Sequence, residues 1–238
     1  MTPHNGSTPL RAVFLDAGGT IIHLDRAFIL ECLARRGLQR TAAQFDDADA
    51  AAREHIGELM RAGEPSDDAG RWVAYTATLL RTLACAGADA DYVRDLVTQR
   101  HREGRLWTHT VAGTTQALQR VRERGHTIGV ISNADGRVAT FIAQAGLLPH
   151  LDFIIDSGTV GVEKPDPAIF RMACARAGVR PEEAIHVGDV YEIDVVGARA
   201  AGVRPVLIDS DDRYEHRDCD RIRTIADLPA WLDRLPCS

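Results

Sequence analysis

The sequence predicts an α/β fold in which helices cover both faces of a parallel sheet. Short apolar runs typical of buried strands recur along the chain, and amphipathic segments typical of helices lie between them. A glycine follows each of the later amphipathic segments, where a helix would end. With 238 residues, of which 45% are apolar and 26% charged, the chain is long enough to bury such a core. The predicted core is therefore a Rossmann-like sheet.

The individual elements follow from this alternation. The first strand is predicted in the apolar run at 11–16, and Gly18 and Gly19 favour a loop after it. Later strands are predicted at 127–131, 153–155, 184–187 and 203–208. Helices are predicted at 111–124, 137–145, 167–177 and 193–201, each stopped by a glycine at 125, 146, 178 or 202.

Residues 25–103 have a different pattern. They contain helical stretches at 27–36, 42–61, 69–86 and 90–102, and no apolar run typical of a strand. We therefore expect residues 1–22 and 107–238 to form an α/β catalytic core, and residues 23–106 to form an inserted all-helical cap. The two connections would lie close together, as the hinge of a mobile lid requires. The alternative, that these helices simply pack on the sheet, stays open.

Composition narrows the class of protein. The net charge is −6 and only 5% of residues are aromatic, so we expect no nucleic-acid partner. No run approaches the roughly 20 apolar residues that span a bilayer, and residues 1–10 are too polar for a signal peptide. Five cysteines at irregular spacing fit neither a disulfide framework nor a zinc site. We expect a cytoplasmic protein with reduced thiols and no membrane contact.

Four short motifs each follow a predicted strand, at the sheet edge where ligands gather in parallel α/β folds. The first contains Asp16, Gly18 and Gly19. Asp16 ends a buried run, and the glycines allow the backbone to approach a bound group closely. Asp16 is therefore a candidate nucleophile, although a turn or cap role explains this residue alone equally well.

The second motif places Ser132 and Asn133 between a predicted strand and a predicted helix. The hydroxyl and amide groups of these residues can donate hydrogen bonds to phosphate oxygens, so both residues are candidates for phosphate binding. Capping of the following helix is the alternative.

The third motif contains Lys164, the only lysine among 28 lysine and arginine residues. Asp166 and Pro167 predict the start of a helix, as cap and first helical residue, which leaves the lysine unexplained. A compact ammonium group in a chain that otherwise uses arginine indicates a site that a broad guanidinium does not fit.

The fourth motif begins at His186 and places Asp189 and Asp194 after a predicted strand that ends near Gly188. Two carboxylates near one strand end suit Mg²⁺, which takes one or two protein carboxylates together with substrate phosphate. The alternative is structural, with Asp194 capping the next helix and Asp189 serving the turn.

The four motifs together support one electrostatic argument. A carboxylate and a phosphate dianion a few ångströms apart repel each other by several kcal/mol at protein-like dielectric. A Mg²⁺ ion bridging Asp16 and phosphate, the ammonium of Lys164, and donors from Ser132 and Asn133 would offset that repulsion. The chain therefore supplies all three groups that attack by Asp16 on a phosphate would require.

The four motifs, in this order from Asp16 to Asp194, resemble those of the haloacid dehalogenase-like (HAD) hydrolase superfamily, which contains many Mg²⁺-dependent phosphatases. The resemblance implies that Asp16 forms an aspartyl-phosphate, that Ser132 holds phosphate, and that Lys164 orients the phosphate and neutralises charge. It also implies that the helical insertion is a C1-type cap that closes over the active site.

The resemblance further implies a set of Mg²⁺ ligands. These are Asp16, the backbone carbonyl of Gly18, Asp189, and Asp194 either directly or through water.

One position departs from the family pattern. Phosphatases of this family usually carry a second aspartate two residues after the nucleophile, where this chain has Gly18. That aspartate protonates the leaving group and then activates water, which is help worth about 10²- to 10⁴-fold. We therefore expect aryl or acyl phosphates to be preferred over alkyl phosphates. His23 and Asp25 are possible substitutes, although a role as an exposed hinge residue explains each.

Other functions stay open. A non-catalytic binding or regulatory module would keep the fold without efficient turnover, and a protein-interaction scaffold would have no reason to retain Lys164, Asp189 and Asp194. Family dehalogenases usually have a large aromatic residue at the position of Gly18, which disfavours dehalogenation. Members of the family that cleave phosphonates need a lysine of the cap to form an imine with the substrate. That mechanism is excluded here, because the only lysine of the chain lies in the third motif.

Overall fold

A computed structural model describes residues 9–64 and 67–235. The polar segment at 1–8 and Cys237, both used in the expectations above, lie outside the described residues. The chain forms two compact units: one is His23–His109, and the other combines the described residues before and after it. Within the described ranges, no helix is long and apolar enough to cross a membrane.

In chain order, the strands are β1 (Ala12–Leu15), β2 (His23–Leu24), β3 (Trp107–His109), β4 (Thr127–Ser132), β5 (Phe153–Asp156), β6 (Ala184–Gly188), β7 (Arg204–Ile208) and β8 (Asp220–Ile222). The helices are α1 (Arg26–Ala34), α2 (Ala42–Arg61), α3 (Asp68–Thr82), α4 (Gly87–Arg102), α5 (Thr114–Glu123), α6 (Val138–Gln144), α7 (Ser157–Val160), α8 (Pro167–Ala177), α9 (Val196–Ala201) and α10 (Leu228–Leu232).

The predicted α/β fold is confirmed. Six strands form one parallel sheet in the order β5-β4-β1-β6-β7-β8. On one face of the sheet, Phe14 packs with Phe170 and Ala173 of α8. On the other face, Val13 and Val187 are fully buried from solvent. Burial of both faces explains why the central strands are continuous apolar runs without alternation. All strand ends that carry the predicted motifs lie at one edge of this sheet.

Several elements of this unit were not predicted from the sequence, among them the short helices α7 and α10. Strand β8 has three residues, two of them charged, and it pairs only at the sheet edge, so no apolar run marks it. The helix predicted at 193–201 is divided: a π-helical turn covers Tyr191–Val195, and α9 follows it. In that turn the N–H of Val196 donates to the carbonyl of Tyr191.

The unit of residues 23–109 contains α1 to α4, in the segment where a helical insertion is expected. The helix predicted at 42–61 has those bounds, and Thr41 begins it with a capping box to Gln44. The unit also contains an antiparallel ribbon of β2 and β3, so it is not entirely helical. Two paired residues in β2 are too few to give a recognisable sequence pattern.

Candidate active site

Asp16 directly follows β1 and lies in a buried position. The N–H of Asp16 donates to the carbonyl of Val187 at 2.8 Å, which continues the pairing of β1 with β6. Beyond it, the carbonyl of Ala17 accepts the N–H groups of Ile21 and Ile22, and the chain turns sharply. The Asp16 side chain is thus directed by the sheet itself rather than by a flexible loop.

Gly19 allows a close approach within this turn. Its φ is +80°, in the region that favours glycine, and a Cβ atom there would overlap the carboxylate of Asp189. The side chain of Asp189 therefore lies directly against the loop that follows Asp16, as the proximity of the first and fourth motifs requires. Glycine is needed at position 19 for both the backbone angle and the space.

Lys164 joins two carboxylates. Its Nζ donates to Asp16 Oδ1 at 2.5 Å and to Asp194 Oδ1 at 2.7 Å, and its side chain is almost completely buried. Burial alone would lower the pKa of Lys164, but the two carboxylates outweigh it and raise the pKa. The ammonium therefore stays charged between the first and fourth motifs.

Asn133 holds the backbone of Lys164. Its Nδ2 donates to the Lys164 carbonyl and its Oδ1 accepts the Lys164 N–H, both at 2.8 Å. This pair of bonds connects the end of β4 to the third motif. One N–H of the Asn133 amide is used here, and the second is the one that a phosphate would accept. Binding of phosphate by Asn133 and by Ser132, which lies buried at the end of β4, stays a prediction.

Asp194 accepts hydrogen bonds at both carboxylate oxygens. Oδ1 contacts Lys164 and the Nε2 atom of His186, and Oδ2 accepts the backbone N–H groups of Asp189 and Val190 at 3.2 and 3.1 Å. Burial opposes ionisation, but Lys164 and His186 together lower the pKa of Asp194. Asp194 thus caps the turn that carries Asp189, rather than α9. A Cβ on Gly188 would overlap Asp194, so this turn also requires glycine.

The burial of Asp16 opposes its ionisation. Desolvation raises the pKa of Asp16 to about 6, the negative charge of Asp194 adds to this, and Lys164 opposes it. The pKa shifts of the two carboxylates therefore differ in sign, although both contact the same ammonium. At neutral pH both are charged, and Asp16 is the more basic of the two.

The chemistry of the donor set fits a divalent cation. Asp16, Asp189 and Asp194 are three buried carboxylates, and Lys164 supplies one positive charge against them. Carboxylate oxygens are the ligands that Mg²⁺ prefers, and the positive charge of the ion would offset negative charge of these side chains. Within residues 9–64 and 67–235, however, no three His, Cys, Asp or Glu side chains already converge as a preformed metal site. Metal binding by these residues and by the Gly18 carbonyl stays a prediction.

The structure brings Asp16, Lys164 and Asp194 into direct contact, and it also brings in His186, for which the sequence predicted no role. His186 lies on β6 with its ring fully buried. The available signal was a polar residue inside an otherwise apolar strand that ends in the fourth motif.

In the unit of residues 23–109, Asp25 has a structural role. Its Oδ1 accepts the N–H of Phe28 at 3.1 Å as the cap of α1, and its Oδ2 pairs with Arg100. Its exposed fraction is 6%, so the expectation of an exposed hinge residue is wrong for Asp25. A hydrogen-bonded cap that is also ion-paired is poorly suited to transfer protons.

The model of the haloacid dehalogenase-like hydrolase family matches residues 10–202 of the chain. The haloacid dehalogenase-like hydrolase domain-containing protein 3 of Mus musculus is 33% identical over 161 residues, which cover 66% of this chain and 64% of that protein. A phosphoserine phosphatase of Thermus thermophilus is 36% identical over 144 residues, covering 60% of this chain and 57% of that enzyme. Both matches span less than two thirds of the relative.

Among solved structures, an HAD phosphatase from Thermococcus onnurineus aligns with a TM-score of 0.59 at 23% identity. The alignment covers 94% of this chain and 98% of that one. At this identity the likeness concerns the fold alone, and it agrees with the parallel sheet described above.

Proposed function

The chain belongs to the haloacid dehalogenase-like hydrolase family, and from that premise we propose that it is a Mg²⁺-dependent phosphatase of a small phosphorylated metabolite. The observation that carries the proposal is the contact of Lys164 Nζ with both Asp16 and Asp194 at the carboxyl edge of the sheet. The phosphatase name of the Thermus thermophilus relative supports the choice of phosphate esters.

The proposed first step uses Asp16 as the nucleophile. One of its carboxylate oxygens attacks phosphorus, the bond from phosphorus to the ester oxygen breaks, and the electron pair leaves with that oxygen. Lys164 stands beside the attacking carboxylate and offsets part of the charge that repels it from phosphate. Ser132, at the end of the neighbouring strand, would donate to a phosphate oxygen.

In the second step, water attacks the aspartyl-phosphate, which releases inorganic phosphate and restores the Asp16 carboxylate. Asp16, Asp189, Asp194 and the Gly18 carbonyl would hold Mg²⁺, which when bound supplies charge neutralisation at the phosphate oxygens. Asp189 lies against the loop after Asp16, and Asp194 caps the turn that carries Asp189. These contacts support a shared oxygen-rich site.

The glycine at position 18 supports a preference among substrates. Without a carboxyl group there, the leaving oxygen gains no proton from this loop, so leaving groups that are stable as anions are favoured. We propose that aryl and acyl phosphates are better substrates than alkyl phosphates.

Residues 23–109 are proposed as a cap that closes over the site.

A panel of aryl, acyl and alkyl phosphates, assayed for released phosphate with MgCl₂ and with EDTA, tests this function. Wild-type protein should release phosphate only with MgCl₂, and Asp16→Asn should abolish the release. Equal release by wild type and Asp16→Asn across the panel would refute the proposal.

Gly18 also supports a second candidate, a non-catalytic binding or regulatory module in this family. Such a module would bind phosphate without turnover. Calorimetric titration with inorganic phosphate in MgCl₂, combined with the same panel, separates the two: binding without product from any ester favours the module.

A further inference from the structure

We propose that His186 is a positioning residue, whose Nε2–H group holds Asp194 Oδ1 in the orientation that Lys164 requires. The kinetic part of this inference rests on the proposed phosphatase function, whereas the structural part does not. His186 does not touch Asp16, and it acts through Asp194 and Lys164.

The geometry forms a continuous chain of polar contacts. His186 Nε2 lies 2.9 Å from Asp194 Oδ1, and the same oxygen lies 2.7 Å from Lys164 Nζ. Lys164 Nζ in turn lies 2.5 Å from Asp16 Oδ1. Every member of this chain is buried, so each contact is made at a low local dielectric, where it is stronger than in water.

The surroundings of His186 identify which nitrogen carries the proton. A carboxylate oxygen only accepts hydrogen bonds, so Nε2 must be the donor. Nδ1 is buried and meets no hydrogen-bond partner among the described residues. A proton on Nδ1 would therefore be buried without an acceptor, which is costly. The neutral ring with hydrogen on Nε2 alone fits both observations.

Packing on the other side of the ring fixes its direction. The ring of Phe170 meets the imidazole edge-to-face, with centroids 5.0 Å apart and planes at 85°. Phe170 is fully buried on α8, so His186 has little freedom to rotate. The imidazole is thus a rigid donor aimed at Asp194 from within the apolar layer of the sheet.

Without this donor, Asp194 Oδ1 would keep only its contact with Lys164, whereas Oδ2 would still accept the backbone N–H groups of Asp189 and Val190. The position of Oδ1, and of the ammonium that contacts it, would then be less restricted. Small displacements of a group that orients the site lower the reaction rate strongly. Loss of a comparable orienting hydrogen bond typically costs about 10- to 100-fold in activity.

A nuclear magnetic resonance experiment on wild-type protein tests the structural part. The chain has nine histidines, so the imidazole nitrogens of His186 are assigned by comparison with His186→Gln. We expect a protonated Nε2 and an unprotonated Nδ1 at neutral pH. An Nε2 found without a proton would overturn the proposal, whatever the variants do.

Lys164 provides a second, independent probe. Because it is the only lysine, protein labelled with [¹⁵N]lysine gives a single side-chain signal. His186→Leu removes the donor, and His186→Gln offers an N–H at a similar position. Phe170→Leu removes the aromatic contact but still places an apolar side chain against the imidazole, so the hydrogen bond is kept. The Lys164 signal should shift in His186→Leu and stay close to its wild-type position in the other two variants.

Kinetics with the best aryl phosphate complete the test. We expect kcat to fall about 10- to 100-fold in His186→Leu with little change in KM, and His186→Gln to recover most of the loss. Phe170→Leu should lower the melting temperature without a comparable loss of kcat. An unmoved Lys164 signal, or equal losses of kcat in His186→Leu and Phe170→Leu, would reduce His186 to a packing role and refute the inference.

The outcomes separate the two proposals. If no ester is hydrolysed by wild type but the tautomer and the Lys164 shift are as expected, the phosphatase function fails and the positioning contact stands. If wild type hydrolyses esters and the Lys164 signal does not shift in His186→Leu, only the positioning role fails.

Discussion

Lys164 Nζ donates to Asp16 Oδ1 across 148 positions of sequence, and the same ammonium contacts Asp194. The contact places the only lysine of the chain between two of the carboxylates that the proposed mechanism uses. A buried ammonium with two anionic partners has little alternative geometry, because a change in any member leaves a charge unpaired.

Replacement of Lys164 by arginine should therefore be damaging. We expect Lys164→Arg to cost about 1–3 kcal/mol in the free energy of unfolding, because the larger guanidinium overpacks a closed site. Urea denaturation measures this cost, and phosphate release should fall with it. The reverse exchange Arg35→Lys, at an exposed pair with Glu31, should change stability by about 0.5 kcal/mol or less. Similar effects of both exchanges would contradict the claim that Lys164 occupies a restrictive site.

The two glycines of the first motif should respond differently to substitution. The backbone of Gly18 lies outside the positive-φ region in which Gly19 lies, so a side chain is tolerated better there. We expect Gly18→Asp to raise kcat for alkyl phosphates by about 10²- to 10⁴-fold, with a smaller gain for aryl phosphates. Gly19→Ala should inactivate the enzyme, because its Cβ overlaps Asp189. The ratio of alkyl to aryl kcat is the measurement, and an unchanged ratio in Gly18→Asp would count against the assigned role of this position.

Magnesium should stabilise the folded protein. Binding to the native state alone contributes about 2.7 kcal/mol when the concentration is 100 times Kd. Thermal unfolding with and without MgCl₂ should show a higher Tm with the ion, and Asp189→Asn should remove most of that rise. Asp233→Asn, at an exposed pair with Arg124, is the matched control and should respond like wild type. A rise in Tm that survives in Asp189→Asn would place the ion elsewhere.

Stability should also depend on pH through His126. Burial, and to a lesser degree Arg124, lowers the pKa of His126 below its ordinary value. The unfolded chain therefore binds the proton more readily, so stability is lost as pH falls through the ordinary histidine pKa of about 6.5. Unfolding measured at several values of pH should show a weaker loss on acidification in His126→Gln than in wild type. Identical pH profiles of the two proteins would contradict this assignment.

Much of the site could be predicted from sequence, because parallel strands end at one edge and bring residues such as Asp16 and Asp189 together. Lys164 could be identified as a candidate site residue because it is the only lysine of the chain. The use of Asn133 as a clamp on the Lys164 backbone could not be predicted, since it depends on the spacing of two loops in space. His186 was missed because periodicity treats a strand residue as core, and only the structure shows which carboxylate its ring faces.

The fold, like the site, could be predicted from the sequence only in part. Buried strands such as β1 and β6 are predictable because solvent exclusion on both faces forces apolar runs. Strand β8 is held by pairing at the sheet edge rather than by apolar side chains, so its sequence carries no such mark. The π-helical turn at Tyr191–Val195 is defined by a hydrogen bond from the N–H of Val196 to the carbonyl five residues earlier instead of four. The residue types in this segment do not indicate which of the two carbonyls accepts that bond.

That turn sets a limit on how this part of the chain can change in length. A helical turn with one additional residue rotates everything after it by about 100° relative to a regular helix. Removing one residue between Tyr191 and Val195 would either swing Asp194 away from the backbone amides it accepts or turn the apolar side of α9 outward. Natural variants of this protein should therefore conserve the number of residues between Asp189 and Asp194 more strictly than their identities.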